Sequence, residues 1–287
     1  MAEQDFLKID LHMHTTVSDG TDTPAEILER VKEAGISVFS VTDHDAVKAG
    51  EEIRPLLRPG DPVFLQGVEF SCKDEEGKYH ILGYGFDPEN AAVRAVLARG
   101  HELRMEKLAA RLEHLKTDFG IAFPEEEVKK LYAMDNPGKP HSGNLMVKYG
   151  FAETKEHAFR GFLNQKRFTS EYIRPEEAIG GILAAGGVPV LAHPFYGSGD
   201  ELILGEEMEA RLRKLQGFGL QGVEAFYSGF TDKLRRTMLA LAEREELFVT
   251  AGSDYHGSNK LVKLGDTGLS EGMEIPEGMK RFLERVL

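Results

Sequence analysis

The chain has 287 residues, a hydrophobic fraction of 41% and a formal net charge of −13 at pH 7. This length suits one large domain, or one domain with a substantial insertion, and no apolar run reaches the roughly 18 residues of a membrane span. The negative charge argues against broad binding to duplex DNA. A single cysteine, Cys72, excludes an internal disulfide framework, and the acidic N-terminus does not resemble a secretory signal. We therefore expect a cytoplasmic protein without membrane contact.

Seven apolar segments are predicted to be β-strands. Several are nearly continuous apolar runs, which is typical of parallel strands buried on both faces. Helical patterns lie between several of them, and the first helix has a clear start signal, with Thr23 as N-cap, Pro24 at the first position and Glu26 completing a capping box. This alternation predicts an α/β fold. The predicted strands are residues 6–12, 37–42, 63–70, 80–86, 188–192, 222–226 and 248–251.

The alternation stops between residues 91 and 173, where the pattern becomes wholly helical. Apolar residues recur at spacings near three and four from Val93 to Leu115, as in amphipathic helices. A further helix begins at Pro124, and residues 136–140 form a loop rich in proline and glycine. We expect a barrel-like α/β domain formed by residues 1–90 and 174–287, with a helical insertion at residues 91–173 that covers the substrate as a lid.

Histidines and carboxylates stand at the ends of almost every predicted strand. His12 and His14 are two residues apart, so in an extended chain both imidazoles point to the same face. Polar side chains at the carboxyl ends of barrel strands point into the mouth, where such folds build their sites. The candidate metal ligands are His12, His14, Asp19, His44, Glu69, His80, His193, Asp254 and His256.

Nine ligands at six strand ends are more than one ion can use. Two or three divalent ions, bridged by at least one carboxylate, are the natural number, and imidazole with carboxylate suits Mn, Fe or Zn. Such clusters activate water and neutralise a phosphoryl group during transfer. The histidines of the insertion at positions 101, 114 and 157 are better explained as ordinary surface or packing residues.

The same residues, in the same order, resemble the PHP superfamily (polymerase and histidinol phosphatase). That resemblance implies a distorted (β/α)7 barrel with a trinuclear metal site. The motifs that carry it span the chain and include His80. They are Asp10-Leu11-His12-Met13-His14, Ser18-Asp19-Gly20, Thr42-Asp43-His44-Asp45, Gly67-Val68-Glu69, Ala192-His193-Pro194 and Gly252-Ser253-Asp254-Tyr255-His256.

The resemblance also implies how the ligands are shared among the three ions. Glu69 would bridge the first and second ions and so act in catalysis, with a metal-bound hydroxide as the nucleophile. The three implied sets are His12, His14, Glu69 and Asp254 for the first ion, Glu69, His80 and His193 for the second, and Asp19, His44 and His256 for the third.

The insertion is similar to the PHP subgroup that contains nucleoside 3′,5′-bisphosphate phosphatase and the related 5′-to-3′ exoribonuclease. The sequence Lys139-Pro140-His141 carries much of this similarity. In that subgroup an arginine usually occupies the position of Lys139 and helps to bind phosphate, whereas lysine is a point charge without the bidentate fork. The candidate substrate contacts are Lys139, His141, Lys166, Arg167 and Arg174.

These features predict a metal-dependent phosphoesterase that acts on small phosphate esters. The expected substrate is the 3′-phosphate of a nucleoside 3′,5′-bisphosphate, or the 5′ end of a short RNA. A cyclic phosphodiester or sugar-phosphate hydrolase on the same site is the second hypothesis. A non-catalytic metal-binding regulatory module is a hypothesis of a different class, and the complete ligand set argues against it. Metal content together with activity on an aryl phosphate would separate enzyme from binding module.

Overall fold

The computed structural model describes residues 7–166, 172–196 and 202–287. It has a mixed α/β fold in which eight strands form two sheets. The strands are β1 Ile9–Asp10, β2 Val38–Phe39, β3 Val63–Phe64, β4 Gly67–Lys73, β5 Lys78–Tyr84, β6 Val188–Leu191, β7 Gly222–Tyr227 and β8 Phe248–Gly252. The predicted strand at residues 63–70 is therefore divided between β3 and β4, which belong to different sheets.

Strand direction differs from the expectation of parallel pairing at one place. Strands β1, β2 and β3 form a parallel sheet in that order, and β6, β7 and β8 are also parallel. Strand β5 is antiparallel to both β4 and β6, so the expectation is wrong there. An apolar run reports burial on both faces rather than direction, and the four-residue connection from β4 to β5 is too short for a parallel crossover.

Single bridges connect the two sheets on both sides. The backbone N–H of Leu11 donates to the carbonyl of Ala251 at 2.9 Å, and that of Asp45 donates to the carbonyl of Glu69 at 2.9 Å. No sheet closes on itself in residues 7–166, 172–196 and 202–287. The α/β fold is therefore confirmed, but a closed (β/α)7 barrel is not.

The helices cover the sheets and form the segment between β5 and β6. Their bounds are α1 Pro24–Glu33, α2 Lys48–Ile53, α3 Ala91–Phe119, α4 Glu125–Tyr132, α5 Lys139–Lys148, α6 Lys155–Ala158, α7 Pro175–Ala184, α8 Gly205–Gly217, α9 Asp232–Arg244 and α10 Glu277–Val286. The capping box at Thr23 and Glu26 is confirmed at the start of α1. Among the described residues, none of these helices has the length and apolar character that a membrane crossing needs.

Helix α3 links the main core to two small cores in the predicted insertion. Val93 and Leu97, near its start, pack in the main core beside the sheet residues. Farther along, Leu108 and Leu115 each join a separate small core formed with α4, α5 and the segment after α6. The helical character of this segment is confirmed, while the division into two domains stays a prediction.

Candidate active site

Glu69 lies at the centre of a buried group of imidazoles, which we call the histidine–carboxylate cluster together with the other eight predicted ligands. Its side chain is only 1% exposed. Both carboxylate oxygens lie within 3.4 Å of histidine nitrogens. The distances are 3.3 Å to His12 Nε2, 2.8 Å to His80 Nδ1 and 3.4 Å to His193 Nε2 from Oε1, and 3.1 Å to His14 Nε2 and 3.1 Å to His44 Nδ1 from Oε2.

The antiparallel pairing of β4 and β5 explains how Glu69 meets His80. Ser71 pairs directly with His80, and Glu69 lies two residues before Ser71 on the same face of β4. Diagonal neighbours on one face of an antiparallel pair are within reach of long side chains. The sequence pattern suggested that these two ligands lie at strand ends. In the structure they lie within strands β4 and β5.

Asp19 and Asp254 complete the cluster on the side away from His80. Asp19 Oδ1 lies 3.3 Å from His256 Nε2 and 3.7 Å from His14 Nδ1. Asp254 Oδ1 lies 3.5 Å from the Nε2 atoms of both His12 and His14. The structure therefore brings all nine predicted ligands into one group.

Two of the nine ligands have backbones in the left-handed region. His193 has a φ of 29° and Asp254 a φ of 57°, and both follow the ends of strands. Non-glycine residues rarely adopt such angles, and they cost about 1–3 kcal/mol each unless the surroundings hold them. The tight turns that follow β6 and β8 thus direct these side chains into the cluster.

Several buried atoms of the cluster have no hydrogen-bond partner. They are His12 Nε2, His14 Nε2, Glu69 Oε2 and His193 Nδ1. Unpaired buried polar atoms are costly, and an imidazole nitrogen facing a carboxylate oxygen is the donor set that Mn, Fe and Zn accept. The residues therefore fit divalent ions.

Three groups of side chains within the cluster are compact enough to hold a metal ion. They are His14 with Asp19, His44 and His256, then His12 with His14 and Asp254, and then His44 with Glu69 and His80. His14 and His44 each belong to two groups, so these groups overlap more than the sets implied by the family resemblance. The number of ions, their identity and the assignment of each ligand stay predictions.

The carboxylates of the cluster are held in their charged form. Burial alone raises the pKa of Glu69, but the imidazoles of His80, His12 and His44 outweigh burial and hold that pKa well below its ordinary value. Burial likewise raises the pKa of Asp254, and the ammonium of Lys260 with the imidazole of His12 brings it well below its usual range. Charged carboxylates are the form that binds cations.

The sequence analysis missed Glu224, a fully buried carboxylate behind the cluster. Its Oε1 lies 2.9 Å from His12 Nδ1, and its Oε2 accepts a hydrogen bond from the backbone N–H of His193 at 2.8 Å. A signal existed, because Gly222-Val223-Glu224 repeats the Gly67-Val68-Glu69 motif and places a charge inside an apolar strand. The apolar pattern of this segment predicts only a strand.

A cleft of about 400 Å³ opens onto the cluster. Tyr196, Tyr227 and Lys260 line it beside the histidines. The Tyr227 hydroxyl donates to Asp254 Oδ2 at 3.0 Å, and the Lys260 ammonium lies at 2.5 Å from the same oxygen. These contacts leave Asp254 Oδ1 directed toward the imidazoles.

The structure distributes the predicted substrate contacts over different places. Lys139, at the start of α5, donates to Asn164 Oδ1 at 3.1 Å and lies over the ring of Phe159. His141 Nδ1 accepts from the backbone N–H of Gly138 at 2.8 Å, which leaves Nε2 as the donor of a neutral ring.

The remaining three predicted contacts lie elsewhere or outside the described residues. Lys166 is 53% exposed and faces Asp118. Arg174 binds Glu75 with two hydrogen bonds and lines a separate pocket near Tyr172. Arg167 lies outside the described residues. A substrate role for these residues stays a prediction.

A group of cations near the histidine–carboxylate cluster is not anticipated from the sequence, apart from Lys139. On α3, Arg104, Lys107 and Arg111 follow one another at spacings of three and four, so they share one face of the helix. Burial together with the positive charges of its neighbours lowers the pKa of Lys107 to about 7 and that of Arg111 to about 10. We call these three residues, with Lys78 and Lys139, the basic cluster.

Lys107 and Arg111 have no carboxylate within salt-bridge distance in the part of the chain that the structure describes. Lys107 Nζ instead lies 3.2 Å from the centre of the Tyr172 ring. The pKa of Lys139 is lowered by burial and by Arg111 and Lys78, which places Lys139 in the same group. Partly buried cations without an anion are unfavourable unless a ligand supplies one.

Arg104 connects the basic cluster to the metal ligands. Its Nε donates to Asp45 Oδ2 at 2.5 Å and its Nη2 donates to Ser71 Oγ at 2.8 Å. Ser71 Oγ in turn lies 3.5 Å from His44 Nδ1. From Arg104 to Arg111 this face of α3 is about 10 Å long, which is two helical turns.

The comparisons with known proteins agree with this arrangement. The sequence matches the PHP domain family over residues 10–132. A 3′,5′-nucleoside bisphosphate phosphatase from Chromobacterium violaceum is 33% identical over 260 residues, which cover 86% of this chain and 87% of the relative. A 5′-3′ exoribonuclease from Haemophilus influenzae is 28% identical, covering 90% of this chain and 93% of the relative.

Two further comparisons extend this agreement to another ester type and to a solved structure. A phosphoribosyl 1,2-cyclic phosphate 1,2-diphosphodiesterase from Eggerthella lenta is 30% identical, covering 86% of this chain and 94% of the relative. A Bifidobacterium adolescentis structure, called a metal-dependent phosphoesterase, superposes with a TM-score of 0.82 at 28% identity, covering 97% of this chain and 96% of that chain. The chain therefore belongs to the PHP domain family, and it is a hydrolytic phosphoesterase.

Proposed function

We propose that this chain is a metal-dependent phosphoesterase whose substrate carries two anionic groups, as a nucleoside 3′,5′-bisphosphate or the 5′-phosphorylated end of a short RNA does. One observation carries the proposal: Lys107 and Arg111, which have no carboxylate partner in the described residues, share a face of α3 with Arg104. Arg104 contacts Ser71, which lies beside His44 of the histidine–carboxylate cluster. The first cluster would hold the reacting phosphate and the second would hold the other. The names of the Chromobacterium and Haemophilus relatives support the same substrate class.

The histidine–carboxylate cluster would hold two or three divalent ions, of Mn, Fe or Zn. When bound, such ions activate water and neutralise charge on the phosphoryl group. Glu69 lies between imidazoles on both of its oxygens and would be shared by two of the ions. Lys260 projects an ammonium into the cleft, where it can face a phosphate oxygen while it orients Asp254.

The basic cluster would bind and orient the phosphate that does not react. Binding energy remote from the scissile bond is useful when it holds the reacting group in place. Lys139 and Arg111 stand on different helices, so a phosphate between them would tie α5 to α3. His141 Nε2–H offers an additional neutral donor close to this group, since burial lowers the pKa of its imidazole.

A cyclic phosphodiester or sugar phosphate is the second candidate substrate. The Eggerthella relative, named for a phosphoribosyl cyclic phosphate, covers this chain as widely as the Chromobacterium phosphatase does. A phosphoribosyl cyclic phosphate also carries more than one anionic group, so the same two clusters could bind it.

The test is to screen protein prepared with Mn²⁺ against four substrates and to measure its metal content. The substrates are a nucleoside 3′,5′-bisphosphate, a 5′-phosphorylated short RNA, a ribose cyclic phosphodiester and an aryl phosphate. We expect at least two ions per chain and the highest kcat/KM on the bisphosphate or the RNA. One ion or fewer with full activity would contradict the multinuclear site. A clear preference for the cyclic diester would favour the second candidate.

A further inference from the structure

Glu224 stands behind the metal ligands and contacts two of them at once. It lies in β7, between β6 and β8, and is 0% exposed. One carboxylate oxygen faces His12 Nδ1, and the other accepts from the backbone N–H of His193. These ligands are distant in sequence, so a single side chain joins two separate ligand-bearing turns.

The contact with His12 decides which ring nitrogen faces the cluster. An ionised carboxylate only accepts hydrogen bonds, so when His12 binds a metal ion through Nε2, the proton of its ring stays on Nδ1 and faces Glu224. The Nε2 lone pair is then directed toward Glu69 and Asp254, at 3.3 and 3.5 Å. That atom is buried and has no hydrogen-bond partner, as expected of a nitrogen prepared for a cation.

The contact with His193 holds a strained turn. His193 has a φ of 29°, an angle that needs support from its surroundings. The hydrogen bond of 2.8 Å from its backbone N–H to Glu224 provides that support. The imidazole of His193 thereby stays 3.4 Å from the central Glu69 carboxylate.

The carboxylate of Glu224 packs closely against the backbone of Gly252. A side-chain carbon at Gly252 would lie 2.3 Å from Glu224 Oε1 and 2.3 Å from His12 Cβ, so glycine is required there for this close approach. Within the described residues, no lysine or arginine forms an ion pair with Glu224. Its two oxygens therefore serve His12 Nδ1 and the backbone N–H of His193.

We propose that Glu224 is a positioning residue for metal binding, which fixes the tautomer of His12 and the backbone of His193. The proposal rests on the metal dependence in the proposed function, and it goes beyond the nine ligands. Hydrogen-bonded partners of metal-binding histidines typically contribute a factor of about 10–100 in metal affinity. Glu224 has no contact with the cleft, so we do not expect it to touch substrate.

The variant Glu224→Gln separates this role from simple packing. Glutamine keeps the size of the side chain but has one acceptor oxygen, so it cannot accept from both His12 Nδ1–H and the His193 N–H. If its amide nitrogen faces His12, the ring proton moves to Nε2 and blocks the metal-facing position. Asp74→Asn is a matched control, because Asp74 is also a buried carboxylate but pairs with Lys214 near the β4–β5 turn.

The experiment is a competition titration of Zn²⁺ between each protein and a chromophoric chelator, with no substrate present. We expect Glu224→Gln to bind Zn²⁺ about 10–100-fold more weakly than the wild type and Asp74→Asn to bind it equally well. Nitrogen-15 NMR of the Zn²⁺-loaded protein should show His12 with its proton on Nδ1 in the wild type and an altered Nδ1 signal in Glu224→Gln. If Glu224→Gln does not fold, Glu224→Asp, which withdraws the charge by one methylene, takes its place.

The outcomes distinguish this inference from the proposed function. A wild-type protein that binds no Zn²⁺, Mn²⁺ or Fe²⁺ would overturn the metal-dependent function itself. The other informative outcome is a wild type that binds metal and a Glu224→Gln variant with the same affinity and the same His12 tautomer. That result would leave the metal-dependent function intact and overturn the role of Glu224.

Discussion

The histidine–carboxylate cluster and the basic cluster lie side by side and attract ligands of opposite charge. The first gathers carboxylates and buried imidazole nitrogens without hydrogen-bond partners, a set of atoms that attracts cations. The second gathers ammonium and guanidinium groups around Tyr172 and α3, and two of them, Lys107 and Arg111, have no carboxylate partner in the described residues. Under the proposed function, ligands of the opposite charge would complete each cluster: metal ions in the first and a phosphate in the second.

The largest effect is expected from the centre of the first cluster. Glu69→Gln removes a charge that faces five imidazoles, so it weakens the hold on the ions and the electrostatic stabilisation of the reaction. We expect kcat to fall by at least ~100-fold on every ester, because this step is common to all of them. Steady-state kinetics with elemental analysis checks it, and a near wild-type kcat would refute the shared role of Glu69.

The second cluster should affect only substrates that reach it. Lys139→Ala removes one charge-assisted contact, so kcat/KM for a bisphosphate should fall roughly 10- to 100-fold, the equivalent of ~1.5–3 kcal/mol. An aryl phosphate, which has no second anion, should be hydrolysed at nearly the wild-type rate.

A matched control for this variant is Lys129→Ala, an exposed lysine of the same helical segment that pairs with Glu125. It should leave both substrates unaffected. An equal loss on both substrates in Lys139→Ala would assign Lys139 to folding or to the metal site instead. No loss on either would mean that the true substrate lacks a second phosphate near α5.

The smallest effect concerns stability and pH. The folded protein lowers the pKa of Lys107 from 10.5 to about 7, so the unfolded chain binds more protons between these values. The free energy of unfolding therefore rises with pH across that range. The cost of burying the charged Lys107 ammonium is fully present below pH 7. In buffer without phosphate at pH 6, Lys107→Met should be more stable than the wild type by roughly 1–2 kcal/mol, after allowance for solvent screening.

Thermal unfolding of both proteins at pH 6 and pH 10 measures this difference. The advantage of Lys107→Met should shrink at pH 10, and added phosphate should stabilise the wild type more than the variant. A variant that is less stable than the wild type at pH 6 would show that Lys107 is not an unsatisfied cation.

The sequence predicted the first cluster far better than the second. Strand-end histidines such as His12 and His193 carry a local signal, because polar residues next to apolar runs are unusual. Arg104, Lys107 and Arg111 look like an ordinary solvated helix face among 35 lysines and arginines. Only the packing of α3 beside Ser71 and Tyr172 shows that this face is turned toward the protein rather than toward solvent.

The fold was predictable in its elements but not in its pairing. The start of α1 at Thr23 follows from local capping chemistry, and the structure has it there. The antiparallel direction of β5 and the division of residues 63–70 depend on long-range pairing, which no local pattern encodes. Glu224 was missed for a related reason: its partners, His12 and His193, are distant in sequence.

The central claim is that one substrate spans both clusters, and a matched pair of substrates tests it most directly. Adenosine 3′,5′-bisphosphate and adenosine 3′-monophosphate differ only in the second phosphate, and Arg111→Met removes a guanidinium that no carboxylate pairs with in the described residues. We predict that this variant loses roughly 10- to 100-fold in kcat/KM on the bisphosphate and less than about 3-fold on the monophosphate. Equal kcat/KM of the wild-type enzyme on the two substrates, or an equal loss on both in the variant, would contradict the account.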